Sequence, residues 1–360
     1  MEASMRVEQV IVRQVSFPLT TPYKLSTGDK LVFDPYVIEV RAEDQTGWGE
    51  CMVSPGYTTE TRHGSWKSAL DMAQRLIGAP VNLAGKVISG YAPQFPGISS
   101  AMYGAIDMLN EEPLLRTDHD TKIPLLAPCQ AHEAKALQDE IEQLIEEGFK
   151  TLKVKVGYKW QDDLDRVSLI QAFAAGRVTV RLDANRGFNE SDGKSFSSRL
   201  NPVGIELFEQ PCASDDWGAN SAVAAASTVP VMLDESIYGI ADIDRAAKIE
   251  NVGFVKLKLK KIGKAHELEA ALNHIRELGM TPVLGDGVSL EIACWMEARV
   301  GSRTISNAGE MNGFLKARSR LFQNPLVLHQ GAIHLPAGYW PIMDRDSLIF
   351  HTIKEEKYGF

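Results

Sequence analysis

Six ionisable residues recur between positions 155 and 286 at a nearly constant interval: Lys155, Asp183, Glu209, Asp234, Lys258 and Asp286. The steps between them are 28, 26, 25, 24 and 28 positions, and most close a short run rich in Val, Ile or Leu. Three carboxylates brought to one point repel each other and take up protons unless a cation sits among them. Oxygen donors select a hard ion, Mg2+ or less often Mn2+, and three of them leave positions free for water and a substrate. Asp183, Glu209 and Asp234 are therefore candidate metal ligands. The lysines suit proton transfer beside such an ion. In Thr151-Leu-Lys-Val-Lys-Val156 the strand period of two puts Lys153 and Lys155 on one face, and Lys256 and Lys258 share a face in the same way. Lysines crowded by each other and by a cation are expected to have lowered pKa values, which makes bases of them. For Lys256 and Lys260 the plainer reading is a salt-bridged or snorkelling barrel lysine.

These residues need a scaffold that brings successive strand ends together. Strands are expected at 123–127, 151–156, 178–183, 205–209, 230–234, 254–258, 282–286 and 303–307, alternating with amphipathic helices. The helix at 132–147 shows the pattern, with Leu137, Ile141, Leu144 and Ile145 on one stripe and Gly148 at its end. A repeat of this length is one strand, one helix and two loops, and eight such units close into a barrel with its site at the C-terminal strand ends. An open doubly wound sheet is the alternative, but no Gly-rich phosphate loop marks one.

Residues 1–122 differ in character. Strands read at 6–18 and 35–43, a polar loop at Tyr23–Lys30, the end of a third strand at Gly47-Trp-Gly-Glu50, and helical patterns from 60 to 110. This is an α+β unit preceding a barrel at 123–325. The segment 326–360 reads as irregular and is expected to return to the first unit.

Composition narrows the function classes. The 360 residues are 44% hydrophobic and 24% charged, ordinary for a globular protein with a sizeable core. A net charge of −9 without any basic block argues against a nucleic-acid partner. Cys51, Cys129, Cys212 and Cys294 lack C-x-x-C spacing and read as small hydrophobes in a reducing compartment. No apolar run is long enough for a membrane span and the N-terminus has no signal-peptide core, so the cytoplasm is the expected location.

The set Leu-Lys-Val-Lys-Val-Gly157, Arg181-Leu-Asp-Ala-Asn-Arg186, Phe208-Glu-Gln-Pro211, Leu233-Asp-Glu-Ser236 and Lys256-Leu-Lys258 resembles the enolase superfamily, and within it the muconate lactonizing enzyme subgroup. Tyr23–Gly28, Gly47–Glu50 and Tyr57–Glu60 are similar to that family's capping domain, so the likeness covers nearly the whole chain. It implies an α/β fold, a (β/α)7β-type modified TIM barrel with an N-terminal α+β cap completed by the C-terminal segment, and a homo-oligomer. Carried over by position, it makes Asp183, Glu209 and Asp234 the ligands of Mg2+. It makes Lys155 and Lys258 the acid–base pair on opposite faces of a small carboxylate substrate, and it places Lys153 on the substrate carboxylate. Asn185 and Glu235 would orient the ligands. No histidine falls at a proposed strand end, unlike the mandelate racemase subgroup. Two strand ends depart from relatives. Leu284-Gly-Asp-Gly-Val288 lacks the glutamate that many place there, and Ser306-Asn-Ala-Gly-Glu-Met-Asn-Gly313 lacks the paired aspartates of dipeptide epimerases.

The chemistry implied is removal of the proton α to a carboxylate, giving an ene-diolate. Return of a proton on the other face makes a racemase or epimerase, the favoured outcome because both faces carry a lysine. Loss of a β-hydroxyl makes a dehydratase, and departure of an internal carboxylate makes a cycloisomerase. A Schiff-base lysine aldolase leaves the three carboxylates unexplained, and a non-catalytic binding protein leaves the whole set so. Specificity is expected from Tyr23–Lys30, Cys51–Tyr57 and the last two strand ends, with Tyr57, Asp286 and Glu310 touching substrate. Glu310 reads as an acid without a partner, and so points to an amino acid or its derivative.

Overall fold

The computed structural model describes residues 5–25 and 28–359. Strands β1 (Gln9–Val15), β4 (Tyr36–Ala42) and β5 (Gln45–Cys51) form an antiparallel meander, with β2 (Phe17–Leu25) and β3 (Gly28–Phe33) as a separate hairpin after β1. The polar stretch expected to be a loop thus pairs as strands, Tyr23 opposite Lys30, while Ser26 and Thr27 lie outside the described residues. Helices α1 (Arg62–Leu76), α2 (Ala84–Ser89) and α3 (Pro96–Leu109) cover the meander. The Gly-Trp-Gly sequence of β5 has a packing cause. A Cβ at Gly49 would lie 1.7 Å from the carbonyl oxygen of Ala101, and one at Gly47 would lie 1.9 Å from that of Ala105. Only glycine lets the small-residue face of α3 approach β5 this closely.

The second unit is one curled parallel sheet in which β7 (Ala127–Cys129), β8 (Thr151–Lys155), β9 (Thr179–Asp183), β10 (Ile205–Glu209), β11 (Val231–Leu233), β12 (Val252–Leu257) and β13 (Thr281–Leu284) pair in chain order. Between them run α4 (Ala134–Glu146), α5 (Trp160–Ala174), α6 (Glu190–Ser197), α7 (Trp217–Ala226), α8 (Ile240–Ala246), α9 (Leu259–Ile262) and α10 (Ala265–Glu277). Apolar faces of these helices bury against the sheet. Phe188, Phe196 and Phe208 cluster there in tilted and edge-on contacts with ring centroids 5.2–6.2 Å apart, and burial of each contributes about 1.5–3 kcal/mol. All four cysteines are free and buried, as small hydrophobes are.

Three local expectations are corrected. The strand expected at 123–127 is split, because β6 (Thr121–Pro124) leaves the barrel and pairs antiparallel with a segment some 200 positions away, while the barrel strand begins at Ala127. Prolines 124 and 128 suit such an interrupted edge. The eighth strand is not at 303–307, where α11 (Glu291–Thr304) ends and the next three residues are neither helix nor strand. Barrel closure falls to the residues after it, through Glu310 N–H to Leu284 O at 2.9 Å and Leu126 N–H to Gly309 O at 3.0 Å. The C-terminal segment is regular, with a β14 (Val327–His329) and β15 (Ala332–Leu335) hairpin, α12 (Arg345–His351) and β16 (Thr352–Gly359). β15 is the partner of β6, and β16 joins the edge of the first sheet by pairing with β1, so the C-terminus completes the cap. Among the described residues no helix is long and apolar enough to cross a membrane.

Candidate active site

Each barrel strand delivers its functional side chain by ending where the apolar run ends. Asp183 and Glu209 are the last residues of β9 and β10, Asp234 and Lys258 directly follow β11 and β12, and Asp286 follows β13 by two positions. All of these carry under a tenth of their possible exposure. The chain leaves β9 and β10 through left-handed residues, Asn185 at φ 42° and Gln210 at φ 37°. Such backbone costs about 1–3 kcal/mol and is held by its surroundings. Asn185 N–H donates to Asp183 Oδ1 at 2.9 Å. The Gln210 side chain accepts from the N–H groups of Asp234 (3.0 Å) and Ser236 (3.2 Å), which fixes the next carboxylate. Its place after Glu209 is the only sequence signal for that role.

Lysine ammoniums stand among the carboxylates. Lys153 Nζ lies 2.8 Å from Asp183, 2.9 Å from Glu209 and 2.8 Å from Glu310. Lys155 is 2.6 Å from Asp183 and also bonds Asn185 Oδ1. Lys256 is 3.1 Å from Glu209, 3.9 Å from Asp234 and in short contact with Glu310. Lys258 is 2.8 Å from Asp234, with Lys261 on the other oxygen at 2.8 Å. Lys260 pairs with Asp286 at 2.6 Å. Glu310 is thus a buried, doubly paired acid and not the unpartnered one expected. Lys256 and Lys260 are buried, salt-bridged barrel lysines, as the plainer reading of them has it. Lys261, which spacing did not single out, is a further member of the cluster.

The same contacts set the protonation. Burial alone lowers Lys153, Lys155 and Lys258, but the adjoining carboxylates outweigh it and hold all three above the usual lysine value. The expected lowering is therefore not found with the lysines paired directly to Asp183 and Asp234. Lys261 is brought down to about 8, first by burial. Burial raises Asp183 and Asp234, yet their lysines hold both below the usual carboxylate range. Glu235 goes the other way, to about 7, through burial and the charges of Asp234 and Asp183. Its Oε1 accepts from Asn185 at 3.3 Å, whereas Oε2 is buried with no hydrogen-bond partner.

The cap closes one side. Tyr57 OH donates to Asp234 Oδ1 at 2.7 Å and accepts from Lys258 at 2.6 Å. Arg186 and Tyr238 hold the carbonyls of Gly56 and Tyr57. One cavity is lined by Tyr57, the four strand lysines, Asp183, Asn185, Asp234, Glu235, Asp286 and Glu310, with Tyr23 and Val288 at its sides.

The donor set fits a hard divalent ion in kind: three buried carboxylates crowded enough to require cations, beside an orphaned Glu235 oxygen. Lys153, Lys155, Lys256 and Lys258 pair with these carboxylates, and among the described residues no group of three or more His, Cys, Asp or Glu stands at metal-ligand spacing.

A capped βα barrel with acid–base groups at its strand ends is the architecture of a barrel enzyme. The family model described as Enolase C-terminal domain-like matches residues 136–339. The chain is 25% identical over 353 residues to an N-succinylamino acid racemase of Amycolatopsis sp, covering 93% of this chain and 94% of the relative. The structure of muconate lactonizing enzyme from Pseudomonas fluorescens superposes with a TM-score of 0.88 at 21% identity, over 97% of this chain and 100% of that one. A dipeptide epimerase from Enterococcus faecalis V583, complexed with Mg and L-Leu-L-Tyr, gives 0.83 at 22% identity, over 93% and 99%. The chain belongs to the enolase superfamily, in its mandelate racemase/muconate lactonizing enzyme group, and is an isomerase-type enzyme.

Proposed function

We propose that the protein removes the proton α to a carboxylate and returns one on the opposite face, as a racemase or epimerase of an amino-acid derivative. The observation that carries this is the placement of Lys155 and Lys258. They stand at the ends of β8 and β12, with β9, β10 and β11 between them, so they face the cavity from opposite sides. One lysine takes the proton and the other delivers one, which inverts the carbon.

Asp183, Glu209 and Asp234 would hold Mg2+ or Mn2+, which when bound supplies positive charge for the substrate carboxylate as the proton leaves. With those carboxylates engaged elsewhere, Lys155 and Lys258 lose the partners that keep them protonated, and their pKa values fall towards those of bases. Lys153 remains to bond the substrate carboxylate. Asn185 and Glu235 orient their neighbours, and Tyr57 shuts the cavity against water. Residues 123–325 are the catalytic unit in this reading, with 1–122 and 326–360 forming the cap. An amino-acid derivative is favoured by the names of the relatives, which include epimerases of dipeptides and racemases of N-succinylamino acids.

The test is a screen of N-acylated amino acids, dipeptides and hydroxy acids for α-proton exchange in D2O, with and without chelator. Exchange that stops on chelation and returns with Mg2+ is the expected result. No exchange of any carboxylate by folded, Mg2+-loaded protein would overturn the proposal. Exchange accompanied by loss of a β-hydroxyl would favour a dehydratase using the same first step.

A further inference from the structure

Glu310 is a further carboxylate beside the proposed metal ligands. Asp183, Glu209 and Glu310 accept from the same Lys153 Nζ at 2.8, 2.9 and 2.8 Å, so by distance alone Glu310 is placed as well as the other two to serve a cation there. Its backbone is fixed. Glu310 N–H donates to Leu284 O at 2.9 Å, and its peptide packs on Gly285, where a Cβ would meet Glu310 atoms at 2.7 Å. Glu310 differs from the other two in how tightly it holds Lys256, a lysine with 1% exposure that lies in short contact with Glu310 and reaches Glu209 only at 3.1 Å. Lys256 comes from β12 on the face that presents Lys258, and it takes no part in the proposed proton transfer.

We infer that Lys256 is a positioning residue that occupies Glu310 and so keeps it from becoming a fourth metal ligand. The inference rests on the proposed metal site. An ion entering among Asp183, Glu209 and Asp234 must displace ammoniums from them, and Glu310 is the acceptor that keeps Lys256 in place when this happens. Without Lys256, Glu310 keeps only Lys153 at 2.8 Å, which the proposed reading turns to the substrate carboxylate, and a divalent cation is then the strongest partner within reach. It would then take a coordination position that a water, and after it the substrate carboxylate, should occupy.

The experiment uses the full chain loaded with Eu3+, whose luminescence lifetimes in H2O and D2O count bound waters, together with Mg2+ titration calorimetry. Lys256→Met should have one bound water fewer than wild type and bind Mg2+ about tenfold more tightly, since ligand charge count tunes affinity. It should also show a raised KM. Adding Glu310→Gln should restore the lost water and the KM. Loss of a positive charge by itself would change affinity but not the water count. An equal count in wild type and Lys256→Met, in protein folded by circular dichroism, therefore overturns the inference. If Lys256→Met does not fold, Lys256→Gln carries the same expectation. A wild type that binds neither Eu3+ nor Mg2+ removes the metal site itself, which is a distinguishable failure that takes the inference with it.

Discussion

The hydroxyl of Tyr57 donates to Asp234 Oδ1 at 2.7 Å across 177 positions of sequence, and the same hydroxyl accepts from Lys258 Nζ at 2.6 Å. One cap residue thus touches a candidate metal ligand and a candidate acid–base group. Burial and the Asp234 charge hold the phenol well above its usual pKa, so it acts as a neutral donor. Tyr57→Phe should lower kcat/KM about tenfold to thirtyfold, the worth of a hydrogen bond to charged groups at about 1.5–2 kcal/mol. Steady-state kinetics with circular dichroism check this. Unchanged kcat/KM would mean the contact is packing alone.

Removing the metal ligands should separate folding from binding. Asp183→Asn and Glu209→Gln each delete one buried charge that pairs with Lys153, at a stability cost of about 1–3 kcal/mol. Both should stay folded while Mg2+ affinity falls about a hundredfold, by analogy with ligand losses that exceed those of outer partners. Calorimetric titration of Mg2+ into each variant measures this. Wild-type affinity in either would remove that residue from the ligand set.

Much of the site is readable in the chain because a barrel turns sequence periodicity into proximity. An ionisable residue closing an apolar run at intervals of 24 to 28 positions has one place to go, the C-terminal rim, and Asp183, Glu209, Asp234 and Lys258 stand at or just after the ends of their strands there. Pairings that cross between periods are not encoded this way. That Glu310 meets Lys153 and Lys256 depends on where the chain re-enters the barrel after α11, and no repeat marks that point. Tyr23–Leu25 and Gly28–Lys30 belong to a polar stretch but are held by each other as cross-strand partners. The lysine pKa direction was legible only on the assumption of a cation already in place. With Asp183 2.6 Å from Lys155, the nearer opposite charge decides.

The cap–barrel seam should carry a pH signature independent of catalysis. Asp107 on α3 is buried and accepts from Ala265 N–H at the start of α10 at 3.2 Å. Burial raises its pKa to about 6 from 3.8. The folded state therefore holds a proton between these values that the unfolded state releases. The stabilisation from this group is complete below about pH 4, falls as pH rises to about 6 and is flat above. The difference is at most about 3 kcal/mol. Asp107→Asn keeps the acceptor and removes the titration. It should match wild type in thermal midpoint at pH 4 and exceed it at pH 7. Equal midpoints at both pH values would count against a proton on Asp107.

Two lysines on opposite faces make a stereochemical forecast that one base cannot. Lys155 is bonded to Asp183 and Lys258 to Asp234, so each has its own carboxylate partner and loss of one leaves the other's contacts in place. Lys155→Ala and Lys258→Ala should each abolish racemisation, with kcat falling by at least about 100-fold, the scale of a lost general base. Each variant should still exchange the α-proton of one enantiomer in D2O, because the surviving lysine reaches only the hydrogen on its own face. The enantiomer that exchanges should switch between the variants. NMR of each enantiomer incubated separately gives the answer. Exchange of both enantiomers at equal rate by either variant would mean a single group reaches both faces, and the two-base assignment would have to be given up.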